Sequence, residues 1–320
     1  MIGYAASAAE RPVLSALSPE NDKRIGGKMS LKSILAVGVL AVAAVGCVSG
    51  KAPAVSLKGA PVTLKIGVID PLCKASACSC VSDAAIRAFE GMTAKVAAET
   101  GIVLEMEYFE DPQLLDRALQ KGLLDGMIGK YTTCGRFAHE AKREFERLAD
   151  ITKPTGEAGL RGVFITFKDS PVKRLEDIPG HVLGLGVKED TEKCAVPLAM
   201  LKKHGIAVSA EKQAEFFDCK SAALALMENR ADVAVISDYA LEYGCIVVVG
   251  DPKDFHVIAT TEGSLPFTTF MVDKKKVPAE LRARLAAELL TMTGANVPQD
   301  LFTKGWVKPV RWPADTPKPW

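Results

Sequence analysis

Residues 161–201, RGVFITFKDSPVKRLEDIPGHVLGLGVKEDTEKCAVPLAML, constrain the fold more than any other stretch of the chain. Residues 163–167 are β-branched and aromatic with no breaker, which predicts a strand. Ser170 before Pro171 can cap a short helix, whose apolar positions Val172, Leu175 and Ile178 follow at helical spacing. Pro179-Gly180 then turns the chain into a second apolar strand over 182–187, and a loop leads on into a long helix. A strand that delivers its chain to a helix N-terminus points free N–H groups into a crevice, the place where open α/β sheets bind ligands.

Strand and helix patterns alternate along the rest of the chain. Strands are predicted over 62–69, 103–109 and 126–129, and helices over 83–100, 112–120 and 136–148. The first of these helices carries Ile86, Phe89, Met92 and Val96 on one face and stops at Gly101. The second half continues with strands at 215–217, 233–236, 247–249, 256–258 and 267–272, and helices at 221–229 and 278–292. Alternation of this kind predicts mainly parallel α/β sheets, here two of them. There is no internal repeat.

The N-terminus fixes a compartment. Lys28 and Lys32 flank Met29, residues 34–45 are apolar without charge, and Gly46-Cys47 precedes a Ser/Gly/Ala/Pro-rich linker over 48–61. This is the order of a secretory signal over 29–47, shorter than the about 20 apolar residues a membrane span needs. Residues 1–28 carry Glu10, Glu20 and Asp22 and read as a leader ahead of a true start at Met29. Beyond the signal roughly 270 residues remain, enough for two lobes. The net charge of +1 gives nucleic acid no electrostatic footing. No glycine-rich phosphate loop, His-Glu-x-x-His or nucleophile elbow is present, so the chain does not read as an enzyme.

Three places carry a resemblance to a known family: Lys65 to Asp70, the step Lys121-Gly122-Leu123-Leu124-Asp125-Gly126 with its repeat at Glu228-Asn229-Arg230-Ala231-Asp232-Val233-Ala234, and the stretch from Ser170 to Gly180. In order and spacing the chain resembles type II periplasmic solute-binding proteins, particularly the phosphonate/phosphate-binding group of ABC importers. Ala44-Val45-Gly46-Cys47 also resembles a bacterial lipobox, with Cys47 the lipidation site, although Ala44 stands where the pattern prefers Leu.

The resemblance implies a two-lobed α/β fold, each lobe a mainly parallel sheet flanked by helices. Residues 62–162 and 267–305 would form lobe one, 163–266 lobe two, and 306–320 a C-terminal strap, with crossovers near 160–163 and 264–270. It implies a small ligand captured by hinge closure, a membrane permease as partner, and a lipid-anchored place in the periplasm or cell envelope. The ligand would be a phosphonate- or phosphate-like oxyanion, or a cysteine-bound metal species. The implied ligand residues are Asp70, Tyr131, Thr132, Thr133, Asp190, Thr191, Glu192, Ser221, Ser237, Asp238 and Tyr239. At 188–193 phosphonate binders carry a Ser/Thr/Gly-rich turn, of which only Thr191 stands here. Asp190 and Glu192 would repel a phosphonate if desolvated, or else cap the following helix. Alternatively, the same fold serves a periplasmic thiol- or metal-handling or redox accessory protein.

Cysteines sharpen that alternative. The resemblance places the ligand loops at 71–82, 130–135, 188–193, 218–221 and 237–239; Cys73, Cys78, Cys80, Cys134, Cys194 and Cys219 all fall in or beside them, and Cys245 lies apart. They could brace the fold as disulfides, form a thiolate site for a soft metal such as Cu(I), Zn or an Fe–S centre, or be unrelated thiols. Cys78 and Cys80 are too close in sequence to pair easily with each other, and Cys73-x4-Cys78-x-Cys80 is not a standard zinc spacing. His139, one turn beyond Cys134, could join such a site or be a solvated helical residue.

Overall fold

Two sheets are built on one repeated order of strands. The computed structural model describes residues 61–77, 86–242, 245–247, 249–316 and 318–320, so the leader, the signal with Cys47, the linker through residue 60, and Cys78 and Cys80 lie outside the described residues. In the first sheet β1 (Val62–Ile69) runs parallel to β2 (Ile102–Tyr108) and β3 (Gly126–Lys130). Helices α1 (Glu90–Thr100) and α2 (Pro112–Gln120) make the two connections, and α3 (Tyr131–Glu140) follows β3 directly. After β4 (Phe145–Ile151) the chain leaves through β5 (Gly159–Leu160) and enters the second sheet as β6 (Gly162–Phe167).

That sheet adds β7 (Leu183–Gly186), α4 (Ala195–Lys203), β8 (Gln213–Phe216), α5 (Cys219–Met227), β9 (Val233–Ser237), α6 (Asp238–Glu242) and β10 (Phe255–Thr260). The return passes through β11 (Leu265–Pro266), paired with β5, into β12 (Thr268–Asp273), α7 (Ala279–Thr291) and β13 (Trp306–Val307). The strand orders are β2-β1-β3-β12-β4-β13 and β8-β7-β9-β6-β10. In each sheet the strand arriving from the other, β12 or β6, is inserted antiparallel beside the third parallel strand. The result is a two-lobed α/β fold, each sheet parallel at one side and antiparallel at the other.

Both sheets are covered on both faces, which is why their central strands read as near-continuous apolar runs. Leu64, Ile66 and Val68 of β1 pack with Met92, Val96, Leu285 and Leu289 of α1 and α7. On the opposite face Gly67 leaves room for α2, since a Cβ there would stand 2.5 Å from Leu115 Cδ1. In the second sheet Phe164 faces Val172, Leu175, Ile178 and Leu201, while Val163 and Ile165 face the alanine-rich side of α5.

The paired steps have one physical job. Gly122 (φ 69) and Asn229 (φ 53) take left-handed backbone where a helix ends. Three residues later Asp125 accepts from the Lys65 N–H at 2.9 Å, and Asp232 accepts from the Val182 N–H at 2.7 Å. Each carboxylate ties the return to the parallel strand beside it in the sheet, β1 beside β3 and β7 beside β9.

The structure differs from the sequence pattern in four places. Residues 136–148 are not one helix: α3 ends at Glu140, Lys142 turns with φ 52, and β4 pairs with β12. Charge on one face satisfies a helix and this strand equally, and the antiparallel partner decides. The short helix expected after Ser170 shrinks to one 3-10 turn, Leu175–Asp177, although Val172, Leu175 and Ile178 are buried as expected. Val247 and Val249 lie in turns instead of a strand. Helix α1 begins at Glu90, leaving Ile86 to Phe89 outside it, and residues 83–85 lie outside the described residues. No helix among the described residues is long and apolar enough to cross a membrane.

Candidate functional site

A cavity of about 230 Å³ lies where the strand ends of the two sheets meet. From the first sheet come Ile69 at the end of β1, Glu110 and Pro112 at the start of α2, Lys130 at the end of β3, and Thr132, Thr133 and Arg136 on α3. From the second come Val187, Glu189, Asp190 and Lys193 in the β7–α4 loop, Phe217, Asp218 and Cys219 at the start of α5, and Tyr239 and Cys245. A larger cavity of about 450 Å³ between α4 and Pro313, Asp315 and Thr316 lies away from these strand ends.

Charge inside the cleft is largely self-compensated. Lys130 Nζ stands 2.7 Å from Asp190 Oδ1 and 2.5 Å from Glu192 Oε1, joining the first sheet to the loop of the second. Lys193 Nζ is 2.7 Å from the other Asp190 oxygen. Burial opposes the charge on Lys130, but Asp190 and then Glu192 outweigh it and hold the ammonium above its usual range. Burial likewise pushes Asp190 up, and Lys130 and Lys193 together bring it well below the usual carboxylate range. Glu192, fully buried, also accepts from the Ser237 hydroxyl at 2.9 Å. A second bridge between the sheets runs from Lys153 Nζ to Asp238 Oδ2 at 2.7 Å. Asp190 and Glu192 therefore cap no helix: α4 begins after Cys194 without a side-chain cap.

What remains available at the start of α3 is hydroxyl and N–H. The Tyr131 N–H goes to the Phe267 carbonyl at 2.7 Å, and no side chain caps the helix. Thr132 is almost fully buried, lines the cavity, and its Oγ1 has no partner among the described residues. A buried hydroxyl without a partner is costly unless a ligand or water completes it.

The implied ligand residues separate into three groups. Thr132, Thr133, Asp190 and Tyr239 line the cavity together. Glu192, Ser237 and Asp238 lie just behind it, in the ion pairs and hydrogen bonds just given. Asp70, Tyr131, Thr191 and Ser221 are not among the lining residues. Asp70 is fully buried, its Oδ2 2.5 Å from Arg87 Nη1, and Arg87 Nε donates to the Leu301 carbonyl. The Tyr131 ring packs edge-on against Trp312 and Trp320, with the Arg147 guanidinium 4.2 Å above it. Thr191 is buried beside Glu192, and Ser221 closes a capping box with Asp218, whose Oδ1 accepts from the Ser221 N–H at 2.6 Å.

Of the candidate thiols, the structure places only Cys219 at the cavity, and Cys78 and Cys80 lie outside the described residues. Cys73 and Cys134 are in the cores of the first lobe, and Cys194 is half-buried before α4. Burial and then Asp70 push the Cys73 thiol up, and the same two causes push Cys134 up to about 12. Cys219 goes the other way, lowered to about 7 by a hydrogen bond from Cys245, against burial and helped by Lys193, the Ser237 N–H and Lys130. Among the described residues no group of three or more His, Cys, Asp or Glu could hold a metal ion, so Cys73, Cys134, Cys194 and Cys219 do not gather into the expected ring. Cys245, Lys130, Lys193 and Arg136 escaped the sequence reading. Lys130, Lys193 and Cys219 all fall within loops implied by the family, but only the fold shows which side chains meet.

Comparison with known proteins agrees with the two-lobed fold. No curated protein sequence matches the chain. Among solved structures, a similar fold is found in XAC2383 from Xanthomonas citri bound to ATP, at 19% identity and TM-score 0.56 over 78% of this chain and 91% of that one. PhnD1 from Prochlorococcus marinus in complex with methylphosphonate aligns at 12% identity and TM-score 0.56, over 78% of this chain and 93% of that one. A binding-protein component of an ABC phosphonate transporter from Pseudomonas aeruginosa, PA3383, aligns at 17% identity and TM-score 0.55, over 78% and 82%. These likenesses carry the fold. The family profile described as ABC transporter, phosphonate, periplasmic substrate-binding protein matches residues 79–312, and the chain belongs to that family.

Proposed function

We propose that the protein captures a small phosphonate- or phosphate-like solute in the cleft and presents its closed form to the permease of an ABC importer, held at the membrane by lipid on Cys47. The single observation that carries this is the buried, unpartnered Thr132 hydroxyl at the uncapped start of α3, facing the cavity. A helix N-terminus favours an anion, and an oxyanion bonded there by Thr132 and Thr133 would complete the orphaned hydroxyl. Arg136, one turn further on, pairs with Glu140 at 3.2 Å and lies over the Phe137 ring, and from the cavity wall it can turn to the same anion.

Lys130 and Lys193 are already neutralised, so their charge offers a dianion little net attraction. Glu110, Glu189 and Asp218 on the cavity wall suit a solute with a cationic or donor group opposite its oxyanion. Closure would form the Lys130 and Lys153 bridges as the lobes meet.

Titration calorimetry of the full chain with methylphosphonate and with inorganic phosphate tests this reading. Saturable binding of one of them is expected, weakened about tenfold or more by Thr132→Val, because a hydrogen bond to a charged group contributes roughly 1.5–3 kcal/mol. Absence of binding by both anions, or equal affinity in Thr132→Val, overturns it.

A further inference from the structure

The cleft contains a pair of thiols that oxyanion capture does not use. Cys219 is the first residue of α5, and its Sγ accepts the Ser237 N–H at 3.4 Å. Cys245, 26 positions further along the chain, packs in the same core cluster as Cys219 and its thiol is a side-chain partner of that sulfur. Both line the 230 Å³ cavity from the edge of the second lobe's core, whereas Cys73 and Cys134 pack in the cores of the other lobe and do not line it. Lys193, whose Nζ reaches the Phe217 carbonyl at 3.5 Å, lies beside the first turn of α5. A cation and a helix N-terminus together favour a nucleophilic thiolate.

We propose that Cys219 and Cys245 are a redox-active dithiol in the cleft wall, which reacts by exchange with a small-molecule disulfide. Cys219 sulfur attacks one sulfur of R–S–S–R, whose S–S bond breaks. One RS⁻ leaves and takes a proton, and Cys219 carries the mixed disulfide. Cys245 then loses its proton and attacks the Cys219 sulfur, releasing the second RS⁻ and closing the Cys219–Cys245 bond. Two protein thiols are oxidised and one external disulfide is reduced to two thiols, so atoms and electrons balance. The family places the protein in an envelope compartment where disulfides persist. Its two sulfurs are distinct from the Thr132 and Thr133 hydroxyls on the same cavity wall, and the exchange does not depend on anion capture.

The test is to treat the fully reduced full chain with oxidised glutathione, quench with acid and map disulfides by peptide mass spectrometry. Wild type is expected to give a Cys219–Cys245 cross-linked peptide as the first bridge formed, and Cys245→Ser to stop at glutathione on Cys219. A first bridge formed by other cysteines, or stable glutathione on Cys219 in wild type, overturns the proposal, as does no modification of Cys219 at all. Wild-type mapping decides the matter by itself should the variant fail to fold. Circular dichroism of Cys245→Ser shows whether its result counts.

Discussion

Asp70 and Asp190 follow strands of the same rank, β1 and β7, each the second in its sheet's order, yet their carboxylates serve different ends. Asp70 is sealed within its own lobe, bonded to Arg87, the Leu72 N–H and the Thr268 hydroxyl. Asp190 reaches across the cleft to Lys130. Cys134 and Cys219 repeat the contrast, both buried near a helix start beyond a strand, one beside a carboxylate away from the cavity and the other beside lysines at its wall. A position at the end of a strand therefore does not make a residue functional. The neighbours supplied by the rest of the fold decide.

The contrast between the two thiols offers the largest expected effect. Alkylation of Cys219 by iodoacetamide, followed by peptide mass spectrometry, is expected to rise with a midpoint near pH 7, the lowered value of that thiol. Cys134, raised to about 12, is expected to stay unmodified through the same range in the folded protein. Linkage gives the two sites opposite signs. A thiolate lowered from 9.0 to about 7 contributes stability that is fully present above pH 9.0 and is lost as pH falls through about 7. A thiol raised from 9.0 to about 12 favours the folded state below pH 9.0, and that contribution is lost as pH rises towards 12. Equal labelling of both cysteines at pH 8 would break the comparison.

Next in size are the ion pairs. Arg87→Ala leaves Asp70 buried without its guanidinium and is expected to cost about 3–5 kcal/mol in urea unfolding. Lys130→Met leaves Asp190 its bond to Lys193 and Glu192 its bond to Ser237, so a smaller loss of about 1–3 kcal/mol is expected. It should also open the cleft, seen as a larger radius of gyration in small-angle scattering. A larger stability loss from Lys130→Met than from Arg87→Ala would reverse the assignment of the two acids. The smallest effect belongs to Asp232→Ala, about 1 kcal/mol from the lost bond to the Val182 N–H, with anion affinity unchanged.

Much of the scaffold was legible in the sequence because local rules and tertiary contacts agree there. Strand β1 and helix α2 have the expected bounds, the latter because Asp111 caps it with Pro112 in its first turn. The Gly122 and Asn229 steps gave the returns into both sheets. Strand β4 was not legible, since its partner β12 arrives more than a hundred residues later. The site was legible as loops and not as side chains. Thr132, Asp190 and Cys219 stood out by residue type, whereas Cys245 reaches the cleft from a turn beside a valine run that reads as a strand and does not form one. That Lys130 meets Asp190 depends on how the two lobes face one another, which no local pattern records.

A crystal structure of the full chain grown with methylphosphonate tests the central claim most directly. The account predicts the phosphonate oxygens within hydrogen-bonding distance of Thr132 Oγ1 and the first turn of α3, with Lys130 still bonded to Asp190 and Glu192. A phosphonate bound instead by Lys130 with both carboxylates turned away, or a cleft left empty at saturating ligand, would contradict it.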